Sequence, residues 1–247
     1  MIGMGTIVNT GAVVAGGLLG GLLRGGIPLK YKQIITQAVG LAVGVIGLTG
    51  VVQGMLTAGS GGVLARSYSM TVIFSLLIGG LLGEWLALEE RLDHLGRRLQ
   101  NRFGAASGSV AEGFVTATLL FCVGAMAIVG SIQDGLTGNP STLYAKSILD
   151  GVMAAVFAST MGFGVILSAG SVLVYQGSIT LLAGVIRSWL TEPVITQTSA
   201  VGSVLILALS INLLDIKKLR VGNLVPAMFA PFVWYLLTRL AASVFHF

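Results

Sequence analysis

The residues with the clearest capacity for chemistry are two acids, Asp134 and Asp150, each of which precedes a glycine. They lie at the edges of apolar runs, within the polar segments 131–140 and 146–151. Polar groups in or beside a membrane are costly and therefore mark functional sites, and paired carboxylates with amide and hydroxyl oxygens can hold a proton or a small cation. The sequence predicts such a site at these acids, with Gln133 as a further ligand.

Helix capping is the alternative role for the same acids. Asp150 lies near a predicted helix start and four residues from Lys146, where an acid stabilises the helix dipole. Asp134 lies near a predicted helix end, where an acid is unfavourable, so its position calls for another explanation. Both acids should face the same, outer side of the membrane.

The other candidate ligands are one acid and four amide side chains. Glu84 lies inside an apolar run, about one turn from its predicted cytoplasmic end, where it could couple transport or pair with a basic loop. The amides are Gln53, Asn9, Asn212 and Asn223. Of these, Asn9 and Asn212 have positions typical of interhelical hydrogen bonds.

The last apolar run has the composition of a broken helix. Gly222 lies at its start and Pro226 and Pro231 lie within it, and each proline removes a backbone hydrogen bond. These three residues are candidates for a gate, with a kink that serves only packing as the alternative.

Catalytic and metal chemistry find little support. The sequence has no motif of a zinc protease, a serine hydrolase or a phosphate-binding loop. Cys122 lies within an apolar run, and the histidines His94 and His246 lie in a charged segment and at the C-terminus. We expect no enzymatic activity, no catalytic residue, no metal site and no cofactor.

The elements that must position these residues are membrane-spanning helices. Of the 247 residues, 55% are apolar and only 9% are charged, whereas soluble domains are about one quarter charged. Runs of about twenty apolar residues cross a bilayer as helices. The sequence thus predicts an all-α, polytopic transmembrane helical bundle that forms a single domain over 1–247. The eight predicted spans are 6–24, 33–56, 69–88, 114–137, 147–166, 169–189, 195–214 and 221–240.

The positive charges predict the orientation of these spans. Ten of the 14 Lys and Arg residues fall in the alternate segments 24–32, 91–102 and 217–220. The positive-inside rule places these segments in the cytoplasm and both chain termini outside. The fifth and sixth spans then need a tight turn near 168–171, because fusing them would move 217–220 outside. The net charge of +5 therefore sets topology and does not indicate nucleic-acid binding.

The segment 89–103 has a different pattern, with leucine and phenylalanine at steps of three and four between charged residues. This pattern predicts an amphipathic helix that continues the third span into the cytoplasm. It could lie on anionic lipid headgroups or be a solvated helix end.

Internal repeats and glycine stripes complete the pattern. Residues 36–72 share ten identities with 116–152. A second internal similarity, called the second echo below, relates 5–11 to 164–170 and 35–37 to 195–197. The second echo would relate spans one to three to spans six to eight as an inverted pair, a recurring plan of secondary transporters. The glycines of the first two spans lie at steps of three and four, which favours close helix packing and, as the sharper alternative, a pathway lined by backbone.

Four motifs in order carry a resemblance to a known family. They are GTIVNTG at 5–11, VGSIQDGLTG at 129–138, KSILDG at 146–151 and RVGNLVPA at 220–227. With them the whole chain resembles the YqgA/YdfK-like bacterial inner-membrane proteins, a domain-of-unknown-function family. The resemblance implies a multi-pass protein of the bacterial cytoplasmic membrane and is compatible with transport. It supplies neither a substrate nor site residues.

Three functions fit these observations. The first is a secondary transporter or exchanger of a small ion or polar metabolite, with its site formed by Asp134, Asp150 and the helix ends around Gln133 and Asn223. The second is an oligomeric channel formed by glycine-rich helices, and the third is a membrane scaffold that docks a partner through 89–103. The expected partners are the lipid bilayer and a small ion or solute, with a homo-oligomer as the arrangement that a channel requires.

Overall fold

A computed structural model of the chain describes residues 1–25, 28–58, 64–66, 68–91, 94, 110–122, 125–186 and 191–245. Helices occupy the apolar runs, since every backbone polar group in lipid must be bonded within the segment. The elements in chain order are α1 (Met4–Arg24), α2 (Leu29–Met55), β1 (Leu56–Ala58), β2 (Leu64–Arg66), α3 (Ser69–Trp85), α4 (Val110–Cys122), α5 (Ala125–Thr137), α6 (Ser141–Met161), α7 (Gly164–Leu181), α8 (Ala183–Ile186), α9 (Glu192–Leu213), α10 (Val221–Leu224), a 3-10 turn (Val225–Phe229) and α11 (Ala230–Phe245).

The prediction of an all-α membrane bundle is confirmed. In the described ranges, five helical segments are long and apolar enough to cross a membrane, or six if α4 and α5, whose axes differ by 60°, form one bent span. The antiparallel pair β1–β2 is the one sheet there, with three residues in each strand. α3 is apolar but has 17 residues, and α6 has 21 residues but carries Lys146 and Asp150. The count of eight spans is not confirmed.

The fifth and sixth predicted spans are separate helices, but the predicted position of the turn is wrong. The chain breaks at Gly162, where φ is 84°, and residues 168–171 lie inside α7. A left-handed φ suits glycine because it has no Cβ, so Gly162 stops α6. The serines at 168 and 171, by contrast, are accommodated in a helix.

Three close helix pairs organise the bundle. α1 packs along α6 in a parallel sense, with Gly5 against Leu143 and Gly20 against Ala155. α4 packs along α7, also in parallel, and α2 packs antiparallel to α9. The glycine stripe of α2 makes that last approach possible, because a methyl group added at Gly47 would lie 2.7 Å from the backbone nitrogen of Leu207. Close packing, as predicted for the stripe, is confirmed for α2.

Arg24 and the basic loop at 217–220 lie at a common end of the bundle. The end of α1 approaches the break between α6 and α7, where Arg24 lies beside Gly162. The start of α7 in turn contacts the start of α4 through Gly164 and Val110. Glu89 and Lys218 line a small cavity at the same end. The first turns of α1 lie at the opposite end.

The last predicted span runs as one helical segment over 221–239, but a 3-10 turn interrupts its α-helix at the first of its two prolines. α10 ends at Leu224, the 3-10 turn contains Pro226, and α11 begins one residue before Pro231. The turn packs against α3, where Gly79 contacts Ala227. This tight contact favours the interpretation that the irregular segment serves packing. Of the predicted amphipathic helix, residues 92–93 and 95–103 lie outside the described residues.

The apolar core lies between α1, α4, α6, α7 and α9. Its largest side chains are Phe121 and Phe157, whose ring centroids are 6.5 Å apart, and Cys122 is buried beside them as a free thiol. Small residues fill most of the remaining core, so the helices approach closely. This close approach brings the polar side chains of α1, α6 and α7 into contact.

Candidate solute-binding site

A buried ion pair forms the centre of the candidate site. Lys146 and Asp150 lie four residues apart on α6, and the lysine Nζ lies 2.7 Å from both carboxylate oxygens. Their side chains are only 7% and 8% exposed. Asp150 is the tenth residue of α6, since this helix begins at Ser141. The alternative of an acid that caps a helix start is therefore wrong for Asp150.

Two amides extend this pair towards α1 and α7. The Asn9 side-chain nitrogen donates to the Asp150 carboxylate at 2.9 Å and to the Gln176 carbonyl at 3.2 Å. Both amide side chains are fully buried. Asn9 Oδ1 and Gln176 Nε2 lack a hydrogen-bond partner in the described part of the chain. Asn9 thus makes the predicted interhelical bonds and joins three helices at one acid.

Asp134 lies against the first turn of α1. Its Oδ2 accepts a hydrogen bond from the backbone N–H of Gly5 at 3.0 Å, and the residue is fully buried. This contact explains an acid near the end of α5, because the carboxylate stabilises the positive end of a neighbouring helix. Asp134 Oδ1 and the nearby Ser131 hydroxyl have no partner among the described residues. Next to it, the hydroxyls of Thr6 and Thr180 lie 3.4 Å apart.

A cavity of about 730 Å³ lies on the other side of the ion pair. α6 contributes both charged residues to its wall, and α2 and α9 contribute most of the opposite wall. The polar lining from α2 and α9 consists of Thr49, Gln53, Thr196, Ser199 and Ser203. A solute in this cavity would therefore meet one cation, one anion and several hydroxyls.

The structure separates two of the predicted ligands from this site. Asn223 lies at the opposite end of the bundle, where its side chain donates to Glu84 at 2.6 Å and accepts from the backbone N–H of Glu89. Glu84 also pairs with Arg220 at 2.5 Å, and both side chains are largely exposed. Glu84 therefore pairs with a basic loop, and the predicted grouping of Asn223 with Asp134 is wrong.

Three further predicted residues have local structural contacts. Asn212 bonds the backbone N–H and carbonyl of Leu219 and so holds the loop after α9. The backbone N–H of Gly222 donates to Glu89 at 2.6 Å. Gln133 is exposed and accepts from the Thr142 hydroxyl, so it points away from Asp134, and its predicted place in the same site is wrong. Gln53, in contrast, lines the cavity together with Asp150.

Similar proteins identify the family. The model of the family described as "Protein of unknown function (DUF554)" matches residues 4–236. The chain belongs to this family. It is 37% identical to "Uncharacterized membrane protein YdfK" of Bacillus subtilis (strain 168) over 92% of this chain and 93% of the relative. It is 32% identical to "Uncharacterized protein YqgA" of Escherichia coli (strain K12) over 91% of this chain and 93% of the relative. No solved structure matches the chain. The resemblance predicted from the four motifs is confirmed.

In this DUF554 chain, sequence reasoning missed Gln176 and treated Lys146 only as a helix-stabilising partner. Gln176 is the amide within the apolar sequence of α7, and the cost of burying such a group was a usable signal. Thr6 and Thr180 carried no comparable signal, because hydroxyls in membrane helices commonly bond their own backbone. In the part of the chain that the structure describes, no three His, Cys, Asp or Glu side chains gather into a possible metal site.

Proposed function

We propose that this membrane protein is a secondary transporter of a small ion or polar metabolite across the bacterial cytoplasmic membrane, with both termini outside. The observation that carries the proposal is the Lys146–Asp150 ion pair, which is buried and yet forms part of the wall of a 730 Å³ cavity. Ionisable residues inside membrane bundles are rare and mark substrate or ion pathways when they face a cavity.

The energetics of the pair favour a functional role over a purely structural one. Taking two charges out of water costs several kcal/mol per ion, and well-packed apolar residues often stabilise a protein as well or better. An ion pair that lines a cavity despite this cost is therefore suited to bind a solute. Gln53 of α2 and Ser203 of α9 line the same cavity, so both helices can contribute contacts to a solute there.

The packing of α2 on α9 supports an inverted repeat. The sequence echo relates 35–37 to 195–197, an offset of 160 positions. If a twofold axis relates two antiparallel helices, the residues that meet at the axis occupy the same position in the two repeats. The α2 stripe contacts α9 from Gly40 to Gly54, and its centre, Gly47, contacts Leu207, which lies 160 positions later.

The parallel helix pairs support the same repeat independently. The second echo relates Gly5 of α1 to Gly164 of α7. Gly5 contacts Leu143 of α6, and Gly164 contacts Val110 of α4. Seven residues after Gly5, Ala12 of α1 contacts Gly151, which lies eight residues after Leu143 on α6. Seven residues after Gly164, Ser171 of α7 contacts Thr118, which lies eight residues after Val110 on α4. Two interchangeable halves of opposite orientation provide the two states of an alternating-access carrier.

Asp134 has the properties of a coupling site. It is a fully buried carboxyl with no basic partner among the described residues, and one of its oxygens has no hydrogen-bond partner there. An isolated buried carboxylate is costly, and a bound cation would compensate its charge. The first turn of α1 connects it to the solute site, because Gly5 and Asn9 lie four residues apart, or about 6 Å along the helix.

Flux measurements on the purified protein in liposomes test the proposal. Solid-supported membrane electrophysiology would record currents after jumps in protons, sodium, potassium and a panel of polar metabolites. A transporter gives a saturable current for at least one of them, and the double variant Lys146→Met/Asp150→Asn, which keeps the site neutral, abolishes it. The matched control is Glu84→Gln, which removes an acid from the opposite end. A folded double variant with wild-type current would refute the assignment, and a current that never saturates would indicate a channel.

A further inference from the structure

We infer that the solute bound at the Lys146–Asp150 cavity is a zwitterion, a small molecule with one ammonium and one carboxylate group, such as an α-amino acid. The inference rests on the proposed transport function and specifies its substrate class. It follows from the charges of the cavity wall, the size of the cavity and the side chains that form the rest of the wall.

The cavity wall carries one positive and one negative charge. Among the described residues that line the 730 Å³ cavity, Lys146 and Asp150 are the charged ones. They bond each other in this structure, with both carboxylate oxygens 2.7 Å from the ammonium. The empty site is therefore electrically neutral, which is the condition under which a buried pair is tolerated.

Among ligands that carry charged groups, only a dipolar one keeps the site neutral when it is occupied. A bare cation at Asp150 would leave the Lys146 charge buried and uncompensated, and an anion at Lys146 would do the same to Asp150. A zwitterion instead places its ammonium against the Asp150 carboxylate and its carboxylate against the Lys146 ammonium. The Lys146–Asp150 ion pair is then replaced by two ion pairs between the protein and the ligand. No net charge enters the low-dielectric region. The protonation state of either side chain need not change.

The cavity size also separates an organic zwitterion from an inorganic ion. Pockets for small organic molecules have volumes of roughly 300–1,000 Å³. The observed volume lies within this range and far exceeds the space of a desolvated alkali ion. An ion would leave most of the cavity unfilled.

The rest of the wall suits the remainder of such a molecule. Thr49 and Thr196 provide hydroxyls, while Leu149 and Met153 provide an apolar surface for a side chain. Ser199 and Ser203 of α9 also line the cavity. Asn9 bonds Asp150 from α1 and so holds that carboxylate in place.

Thermal unfolding of the purified full chain in detergent tests the inference with matched probes. The zwitterions are glycine, L-alanine and L-leucine. Each is compared with its amide, which retains only the ammonium, with its N-acetyl derivative, which retains only the carboxylate, and with sodium chloride. A ligand that binds the folded state raises the unfolding midpoint in a saturable manner. We expect this rise for at least one zwitterion and for neither of its two derivatives.

Variants of Lys146 and Asp150 test whether the rise of the unfolding midpoint comes from binding in this cavity. In Lys146→Met/Asp150→Asn, binding of the same zwitterion should weaken on the order of 100-fold, because two desolvated charge contacts are lost. In Glu84→Gln it should be unchanged. A rise with the amide alone, or with the N-acetyl derivative alone, overturns the zwitterion but leaves transport of that ion open to the current measurements. A rise with sodium chloride overturns it only if the Lys146→Met/Asp150→Asn variant loses that rise, because the proposed cation site at Asp134 would also respond to sodium. No rise with any probe also overturns the inference, and the currents then decide the transport proposal separately.

Discussion

Asn9 donates a hydrogen bond of 2.9 Å to Asp150, which lies 141 positions later in the chain. This contact ties the first helix to the buried ion pair of α6. Asp134 and Asp150 therefore contact successive turns of α1, since Asp134 accepts a hydrogen bond from Gly5, one turn before Asn9. Solute site and proposed coupling site are therefore joined by one short segment of helix.

Removing the Asn9 side chain should destabilise the protein and weaken binding. Asn9→Ala leaves the Gln176 carbonyl buried without a donor, at a cost of about 1–3 kcal/mol. The midpoint of thermal unfolding should fall, and binding at Asp150 should weaken. Asn139→Ala is the control, because Asn139 is exposed and bonds only a nearby backbone N–H in the described structure. Equal midpoints for the two variants would contradict the buried network.

The ion pair should behave as a unit in a double-mutant cycle. Lys146→Met and Asp150→Asn should each lower the free energy of unfolding by about 3–5 kcal/mol, because each leaves a buried polar or charged partner behind. The double variant should lose much less than both combined. The midpoints of the three variants and the wild type measure the coupling, and additive losses would argue against direct pairing.

Asp134→Asn should uncouple transport from its driving cation. The amide oxygen can still accept from Gly5, so the first turn of α1 keeps its bond while the site loses its charge. We expect solute binding within about twofold of wild type but no uphill uptake driven by a proton or sodium gradient. Glu192→Gln, at the exposed start of α9, is the matched control. Full uphill uptake by Asp134→Asn would show that Asp134 is not the coupling site.

Single cysteines should report the orientation. In a Cys122→Ala background, Gln53→Cys and Lys217→Cys place a thiol at opposite ends of the bundle, and both positions are exposed. A membrane-impermeant maleimide should label Gln53→Cys in intact cells and Lys217→Cys only in inverted vesicles. The reverse pattern would place the positively charged segments outside.

The approach of α2 to α9 should be intolerant of any side chain. Gly47→Leu would insert four carbon atoms where even a methyl group would lie 2.7 Å from Leu207, so overpacking should cost about 1–3 kcal/mol or more. Gly11→Ala meets open space and should be neutral or slightly stabilising, because alanine favours a helix. A lower unfolding midpoint for Gly11→Ala than for Gly47→Leu would be inconsistent with the close contact.

The sequence revealed the parts of the site that depend on local spacing. The i,i+4 relation of Lys146 and Asp150 predicts their contact on any helix, and the prolines at 226 and 231 predict an irregular segment in the last span. The bundle itself follows from the apolar runs. These features need no knowledge of how distant helices meet.

Contacts between distant segments could not be predicted in the same way. Gln133 and Asp134 are neighbours in sequence, but successive residues on a helix point about 100° apart, so one is exposed and the other buried. Asn223 shares a polar character with Asp134 but lies at the other end of the bundle. The turn at Gly162 was missed because a single glycine in a glycine-rich chain does not reveal its φ.

The neutrality of the Lys146–Asp150 pair has a consequence for voltage. A membrane potential acts on net charge, at about 2.3 kcal/mol per elementary charge per 100 mV. A carrier that reorients with this pair intact, empty or holding a zwitterion, moves no charge at the solute site through the field. In the proposed cycle the electrical driving force would therefore act at Asp134 alone, through the cation that its carboxyl takes up and releases.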